Sequence, residues 1–216
     1  MIFQNTFYPK LNIWWLTFIC QNIVAAGSGL APFRGFWQQQ LFNAMHSDAK
    51  NRRQIINRVE NVDYQNETDV AQVKGMIKIR ADKTGRREIR LFFGCRNKGC
   101  NLLNKETELY SEFLTRLNAF SREANIPKTY NHDLLRQERE LVFSTLVNEG
   151  GRIYVCGKVA IAHSTYQSLI EVGSEVNRMP GGRFEGRSKE EADPNSEDFL
   201  NFLKDKGRYS QEIFGS

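Results

Sequence analysis

The chain has 216 residues, of which 40% are hydrophobic, 12% aromatic and 25% charged. These proportions describe a folded domain and exclude a disordered tail, a collagen-like repeat or a coiled coil. The length suits one α/β domain with chain to spare for insertions. Its 30 Lys and Arg residues against 25 Asp and Glu residues leave a formal charge of only +5, a mild preference for anions rather than a nucleic-acid polycation.

Cys20, Cys95, Cys100 and Cys156 have no C-x-x-C spacing and are too sparse for a disulfide scaffold, which points to a reducing compartment, the cytoplasm. His46, His132 and His163 are far apart and none pairs with a second ligand type at metal spacing, so no metal is expected.

At the amino end, Leu11 to Cys20 (LNIWWLTFIC) is apolar, but Gln21 and Asn22 interrupt it. The run falls short of the roughly 20 apolar residues a spanning helix needs. A secretory signal is disfavoured as well, because only Lys10 precedes the run and cleavage near Ala25 or Ala26 would cut into a glycine loop. The sequon Asn66-Glu67-Thr68 matters only for a secreted chain. Residues 1–22 are left unassigned.

Ile23 to Ala26 is a short apolar run ending in Gly27-Ser28-Gly29, with Pro32 where a first helical turn welcomes it, which predicts strand, glycine turn and helix. Phe33, Phe36, Trp37, Leu41 and Met45 fall near one face of that helix and are assigned to the core. From about residue 46 to 87 the pattern dissolves into charge and reads as an insertion or long loop, disorder being favoured over function. Asp63, Glu67, Asp69 and Asp82 interleave with its cations, which argues against nucleic-acid binding.

The remainder is rhythmic. It predicts a strand at Ile89 to Phe93, a helix near Lys105 to Arg116, a strand at Leu117 to Phe120 and a helix from Asp133 to Asn148. A strand at Ile153 to Cys156 and a helix over about Ala160 to Val176 follow. After a Gly, Pro and charge-rich loop (Asn177 to Asn195) come a last helix from Ser196 to Lys206 and a short terminal strand. Such alternation implies an α/β fold: an open, mostly parallel sheet with helices on both faces.

In that fold ligands bind beyond the carboxyl ends of the strands, where strand order reverses. Glycines at 27 and 29 would let backbone N–H groups approach a phosphate at a helix start, although Gly-x-Gly alone fits an ordinary tight turn equally well. Cys156 by itself reads as a small buried hydrophobe, Tyr130 as a half-buried aromatic, and Ser121, Arg122 and Lys128 as a solvated basic turn.

The run Gly27-Ser28-Gly29-Leu30-Ala31-Pro32-Phe33-Arg34 resembles the NADPH-binding domain of diflavin reductases, whose loop runs close to GTGxAPFRxF. The nitric oxide synthase branch looks nearest. Phe36-Trp37-Gln38-Gln39, Phe93-Gly94-Cys95-Arg96, Ala119-Phe120-Ser121-Arg122-Glu123, Pro127-Lys128-Thr129-Tyr130, Tyr154-Val155-Cys156-Gly157 and the stretch from Arg208-Tyr209 through Ile213-Phe214-Gly215 are similar to its motifs, in its order, over residues 23–216.

The resemblance implies a ferredoxin reductase-like, Rossmann-like NADP-binding domain, a flavoprotein part that delivers hydride from NADPH to FAD for electron transfer toward FMN and haem. It implies Gly27, Ser28 and Gly29 as the phosphate loop, Arg96 reaching the nucleotide phosphates, and Ser121, Arg122 and Lys128 around the 2′-phosphate. Tyr130 would stack on adenine with His132 nearby. Cys156 and Glu212 would flank the nicotinamide, and Phe214 would cover the flavin ring. FAD would be bound mainly by a domain outside this sequence, in cis or in trans, and the alternative is a non-catalytic NADPH-binding module or truncated fragment. Three positions depart from the family: His132 stands where it has Gln, Lys158 where it has Asp, and Glu212, one methylene longer, where it has Asp.

Overall fold

Successive side chains of a strand point to opposite faces, and here that rule divides the apolar residues between two cores. The structure, a computed structural model, describes residues 20–45, 51–84, 88–178 and 197–215. Within β1 (Gln21–Ala26), β2 (Ile89–Cys95) and β4 (Arg152–Gly157), the side chains of Ile23, Ala25, Leu91, Phe93, Tyr154 and Cys156 enter one core. Val24, Phe92, Ile153 and Val155 enter the other. Being buried on both faces is what makes these strands read as continuous apolar runs.

With β3 (Leu114–Phe120) and β5 (Tyr209–Ile213) they form a five-stranded, wholly parallel sheet in the order β3-β2-β1-β4-β5. A 3-10 turn (Gly27–Phe33), α1 (Arg34–Ala44), α2 (Arg52–Glu60), α3 (Glu67–Thr84) and α4 (Asn104–Leu109) cover the first face. The second face carries α5 (Asn131–Gln137), α6 (Arg139–Phe143) with a π turn at Ser144–Asn148, α7 (Val159–Arg178) and α8 (Glu197–Asp205). The expected α/β architecture with helices on both faces is the one observed.

The main correction concerns the stretch expected to be an insertion or loop. Its described part, residues 51–84, is folded as α2 and α3 and completes the crossover from β1 to β2; residues 46–50 and 85–87 lie outside the described residues. The anchoring stripe is narrow: Ile55 and Val59 on α2, and Val73, Ile77 and Ala81 on α3, each four residues from the next, all buried in the first core. One apolar residue per turn among many charges is too weak a period to outweigh composition. Asn66 starts α3 by accepting from the backbone N–H groups of Thr68 (3.0 Å) and Asp69 (3.2 Å). Arg58 pairs with Asp69 and holds that carboxyl below its usual range.

Other boundaries move by a few residues. The helix expected up to Arg116 ends at Leu109, because Phe113 and Leu114 turn back to the Tyr110 carbonyl (2.8 and 2.9 Å) and β3 begins at once. The helix expected at 133–148 is divided at Glu138. Gln21 and Asn22, left with the unassigned leader, are buried in β1. The apolar run of residues 11–19, and most of the loop of residues 177–195, lie outside the described residues. Among the described residues no helix is long and apolar enough to cross a membrane, and no group of three or more His, Cys, Asp or Glu could hold a metal ion.

The helix after the glycine turn is fixed by one carboxylate. Glu106 of α4, its side chain 11% exposed, accepts from Arg34 Nε on both oxygens (2.9 Å each) and from the fully buried Trp37 Nε1 (3.1 Å). Removing it strands a buried donor. Glu106→Ala is expected to lower unfolding free energy by about 1–3 kcal/mol in denaturant titration, whereas Glu106→Gln, which keeps an acceptor for Trp37, should avoid most of that loss.

Gly29 sits where no side chain fits: a Cβ there would lie 2.4 Å from the carbonyl oxygen of Cys156 and 2.9 Å from its carbon. Both are backbone atoms at the end of β4 and cannot swing aside. Gly29→Ala is expected to destabilise the fold by about 1–3 kcal/mol, the usual cost of overpacking, seen as a lower urea midpoint at unchanged slope.

Candidate functional site

The connections that leave β1 and β4 diverge to opposite faces of the sheet, which opens a crevice between their carboxyl ends. The glycine turn fills the floor of that crevice. Gly27 follows Ala26 directly with φ +53°, and nothing lies within 4 Å of where its Cβ would be, so the loop presents open backbone. Ser28 is exposed beside it, and Gly29 rests on the Cys156 and Gly157 backbone. The turn is a 3-10 helix that contains Pro32, and α1 starts only at Arg34, later than the sequence suggested. Because Arg34 N donates to the Ala31 carbonyl, α1 continues from the turn, and the helical start beside the crevice is that of the turn itself, the kind of position that binds anions.

All twelve candidate residues fall on this carboxyl edge, in two groups with the glycine turn between them. The first lies beyond β2 and β3. Ser121 N donates to the Cys95 carbonyl (3.0 Å), and Arg122 N donates to the Arg96 carbonyl (2.7 Å), so pairing continues past the sheet and sets Arg96, Ser121 and Arg122 side by side. Arg96 and Arg122 are exposed. Thr129 N returns to the Phe120 carbonyl (3.0 Å) and closes the loop that carries Lys128. Lys128 Nζ stands 5.0 Å from the centre of the Tyr130 ring, and that ring stacks on His132 at 5.4 Å and 14°. His132 Nε2 lies 3.4 Å from Asp133 Oδ1.

The second group lies beyond β4 and β5. Cys156 and Glu212 are register partners on neighbouring strands, and Phe214 N donates to the Gly157 carbonyl (3.1 Å). Cys156 is 1% exposed, and its sulfur belongs to the first core. Burial, with a smaller contribution from Glu212, pushes its thiol up to about 11, so it is a neutral thiol at physiological pH. Glu212 and Phe214 are exposed, as are Lys158, Val159 and Ile213 around them. Among the described residues the two groups share no hydrogen bond; the glycine turn is what they have in common.

Sequence reasoning missed the residue that joins sheet to site. Asn131, 2% exposed at the start of α5, donates from Nδ2 to the carbonyls of Ala25 (2.8 Å) and Phe92 (2.9 Å), bridging β1 and β2 just below their carboxyl ends. Its amide occupies the space a side chain at residue 94 would need, since a Cβ on Gly94 would lie 1.9 Å from Asn131 Oδ1. The Asp133 carboxylate accepts from Tyr130 N (2.8 Å) and sets the angle at which the Tyr130 ring leaves the helix. An Asn at a helix start reads as a local cap, and nothing in its neighbours announces a contact with residues 25 and 92.

Residues 68–167 match the oxidoreductase NAD-binding domain family, a span from the start of α3 into α7. The chain is 32% identical over 201 residues to nitric oxide synthase of Drosophila melanogaster, covering 89% of this chain and 11% of that protein. Nitric oxide synthase of Anopheles stephensi is 30% identical over 200 residues (89% and 12%), and the inducible nitric oxide synthase of Rattus norvegicus is 28% identical over 206 residues (90% and 13%). The chain thus spans a small part of the length of the relatives it matches. Its α/β domain is similar to the oxidoreductase NAD-binding domain family over residues 68–167 and, over most of its length, to a part of the nitric oxide synthases.

Proposed function

We propose that this domain binds NADPH in preference to NADH along the carboxyl edge, as the nucleotide-binding part of a cytoplasmic reductase related to nitric oxide synthase. The observation that carries the reading is the crevice between β1 and β4, floored by a turn whose Gly27 backbone lies open and whose Gly29 is pressed onto β4. That cradle fits a diphosphate, which meets backbone N–H groups and the positive end of a helix. Beyond β3, the hydroxyl of Ser121 and the cations of Arg122 and Lys128 suit a 2′-phosphate dianion. Arg96 serves the same phosphates. Tyr130, already stacked on His132, offers a flat face to adenine once Lys128 moves from the ring to phosphate.

On the other side of the turn, the neutral thiol of Cys156 and the carboxylate of Glu212 would border the nicotinamide, and exposed Phe214 would cover a flavin ring and swing away when nicotinamide enters. The bound cofactors supply the hydride and its acceptor; this chain orients, excludes water and sets the local charge. FAD itself would be held mainly by another domain, and passage of electrons toward FMN and haem belongs to the same proposal.

Lys128→Ala is expected to weaken NADPH binding by about 1.5–3 kcal/mol, the worth of hydrogen bonds to a charged group, and to leave NADH almost unchanged in calorimetric titration. Equal losses for both would remove the 2′-phosphate assignment. Mixing the chain with a separately prepared FAD domain of an insect nitric oxide synthase and NADPH should bleach the flavin absorbance. Tight NADPH binding without bleaching would favour a binding module that has lost hydride transfer.

A further inference from the structure

Just past β2 the chain turns sharply at Asn97. The thiol of Cys95 donates to the Asn97 carbonyl oxygen at 3.4 Å, and the backbone N–H of Cys100 donates to the same oxygen at 3.0 Å. The Asn97 side chain tightens the turn by accepting from Cys100 N as well (3.2 Å). The Cys95 sulfur and the Cys100 backbone therefore meet on one carbonyl, and Asn97 is the pivot about which the two cysteines can be drawn to the Cα separation of about 4.4–6.8 Å that a disulfide requires. Both thiols are free; Cys95 is half-buried and Cys100 exposed. The other cysteines do not compete, since Cys20 precedes β1 at the opposite edge and Cys156 lies on β4, with β1 between it and β2.

This turn also supports the nucleotide loop. Cys95 O accepts from Ser121 N (3.0 Å) and from Ser121 Oγ (3.4 Å), Arg96 O accepts from Arg122 N (2.7 Å), and Lys98 N donates to Glu123 Oε2 (2.6 Å). Drawing Cys95 and Cys100 together must move the peptide groups to which Ser121, Arg122 and Glu123 are tied.

We propose that Cys95 and Cys100 close a reversible disulfide under oxidising conditions, and that its closure weakens nucleotide binding at the adjoining loop. The second half rests on the NADPH reading above. The oxidant is a peroxide. The exposed Cys100 thiolate attacks one peroxide oxygen, giving a sulfenic acid and releasing the other oxygen as water after protonation. The Cys95 thiolate then attacks the sulfenic sulfur, the S–O bond breaks and a second water leaves; two thiols and one peroxide become a disulfide and two waters. Burial pushes the Cys95 thiol up, which suits it to the second step rather than the first. A small dithiol reverses the bond by exchange, so in a reducing compartment the closed form lasts only while oxidant persists.

Trypsin cuts after Arg96 and Lys98, between the two cysteines, so the closed form of the full chain is recognised as peptides 91–96 and 99–105 joined and lighter by two hydrogens. After treatment with hydrogen peroxide and alkylation, that joined pair is expected, and dithiothreitol should abolish it. Calorimetry should show NADP⁺ bound about tenfold more weakly by the oxidised chain, recovered on reduction, with Cys100→Ser insensitive to peroxide; tenfold corresponds to about 1.4 kcal/mol. Oxidation of Cys100 to sulfinic acid with no joined peptide would overturn the proposal, as would a joined pair with unchanged NADP⁺ affinity. If the reduced chain binds no NADP⁺, the nucleotide reading fails while the joined peptides still decide the disulfide.

Discussion

The arrangement of the carboxyl edge depends on how closely the turn after β1 approaches the end of β4. At Gly29 two backbones meet with no room for a methyl group. That contact brings the helical start that follows β1 to the place where the sheet's connections part, and it leaves Gly27 open above the crevice. Had the loop stood off by the width of a side chain, its N–H groups would face solvent, and the groups beyond β3 and β5 would have no common floor.

Around this contact the molecule separates rigid support from exposed chemistry. Buried groups hold the frame: Glu106 gathers Arg34 and Trp37 behind the turn, and Asn131 ties α5 to β1 and β2. The groups assigned to the ligand, Arg96, Arg122, Lys128, Glu212 and Phe214, are exposed. Buried hydrogen bonds to backbone carbonyls are costly to break, so the frame resists the conformational freedom that long charged side chains keep at its rim. Cys156 stands apart: it is almost wholly buried with the first core, at the point where its own backbone meets Gly29.

What could be read from the sequence follows from where each signal lives. Strands β1, β2 and β4 are apolar on both faces and announce themselves, and the core face of α1 was legible from Phe33 to Met45. The glycine loop and the motifs at the ends of β2, β3 and β4 gave the candidate residues, because ligand chemistry at strand ends is concentrated in short runs. The crossover between β1 and β2 was misread because its stripe is one residue wide; Val73, Ile77 and Ala81 are outnumbered by charges that face water. Asn131 and Glu106 were missed for another reason. Their partners lie 39 to 106 residues away, and no local pattern encodes a contact that the topology creates.

The helical crossover has a consequence of its own. α1 is fastened at its start through Arg34 and Trp37, and β2 is locked in register from Ile89 onward, so the chain between them is pinned at both ends by contacts that do not involve α2. Enlarging a flexible connection between two fixed points adds only about 0.6 kcal/mol per doubling of length. That tolerance belongs to the exposed link between the helices, around Gln65, and not to α2 and α3 themselves, whose Ile55, Val59, Val73, Ile77 and Ala81 fill the first core; added length can accumulate at the link while that core and the rim keep their shape.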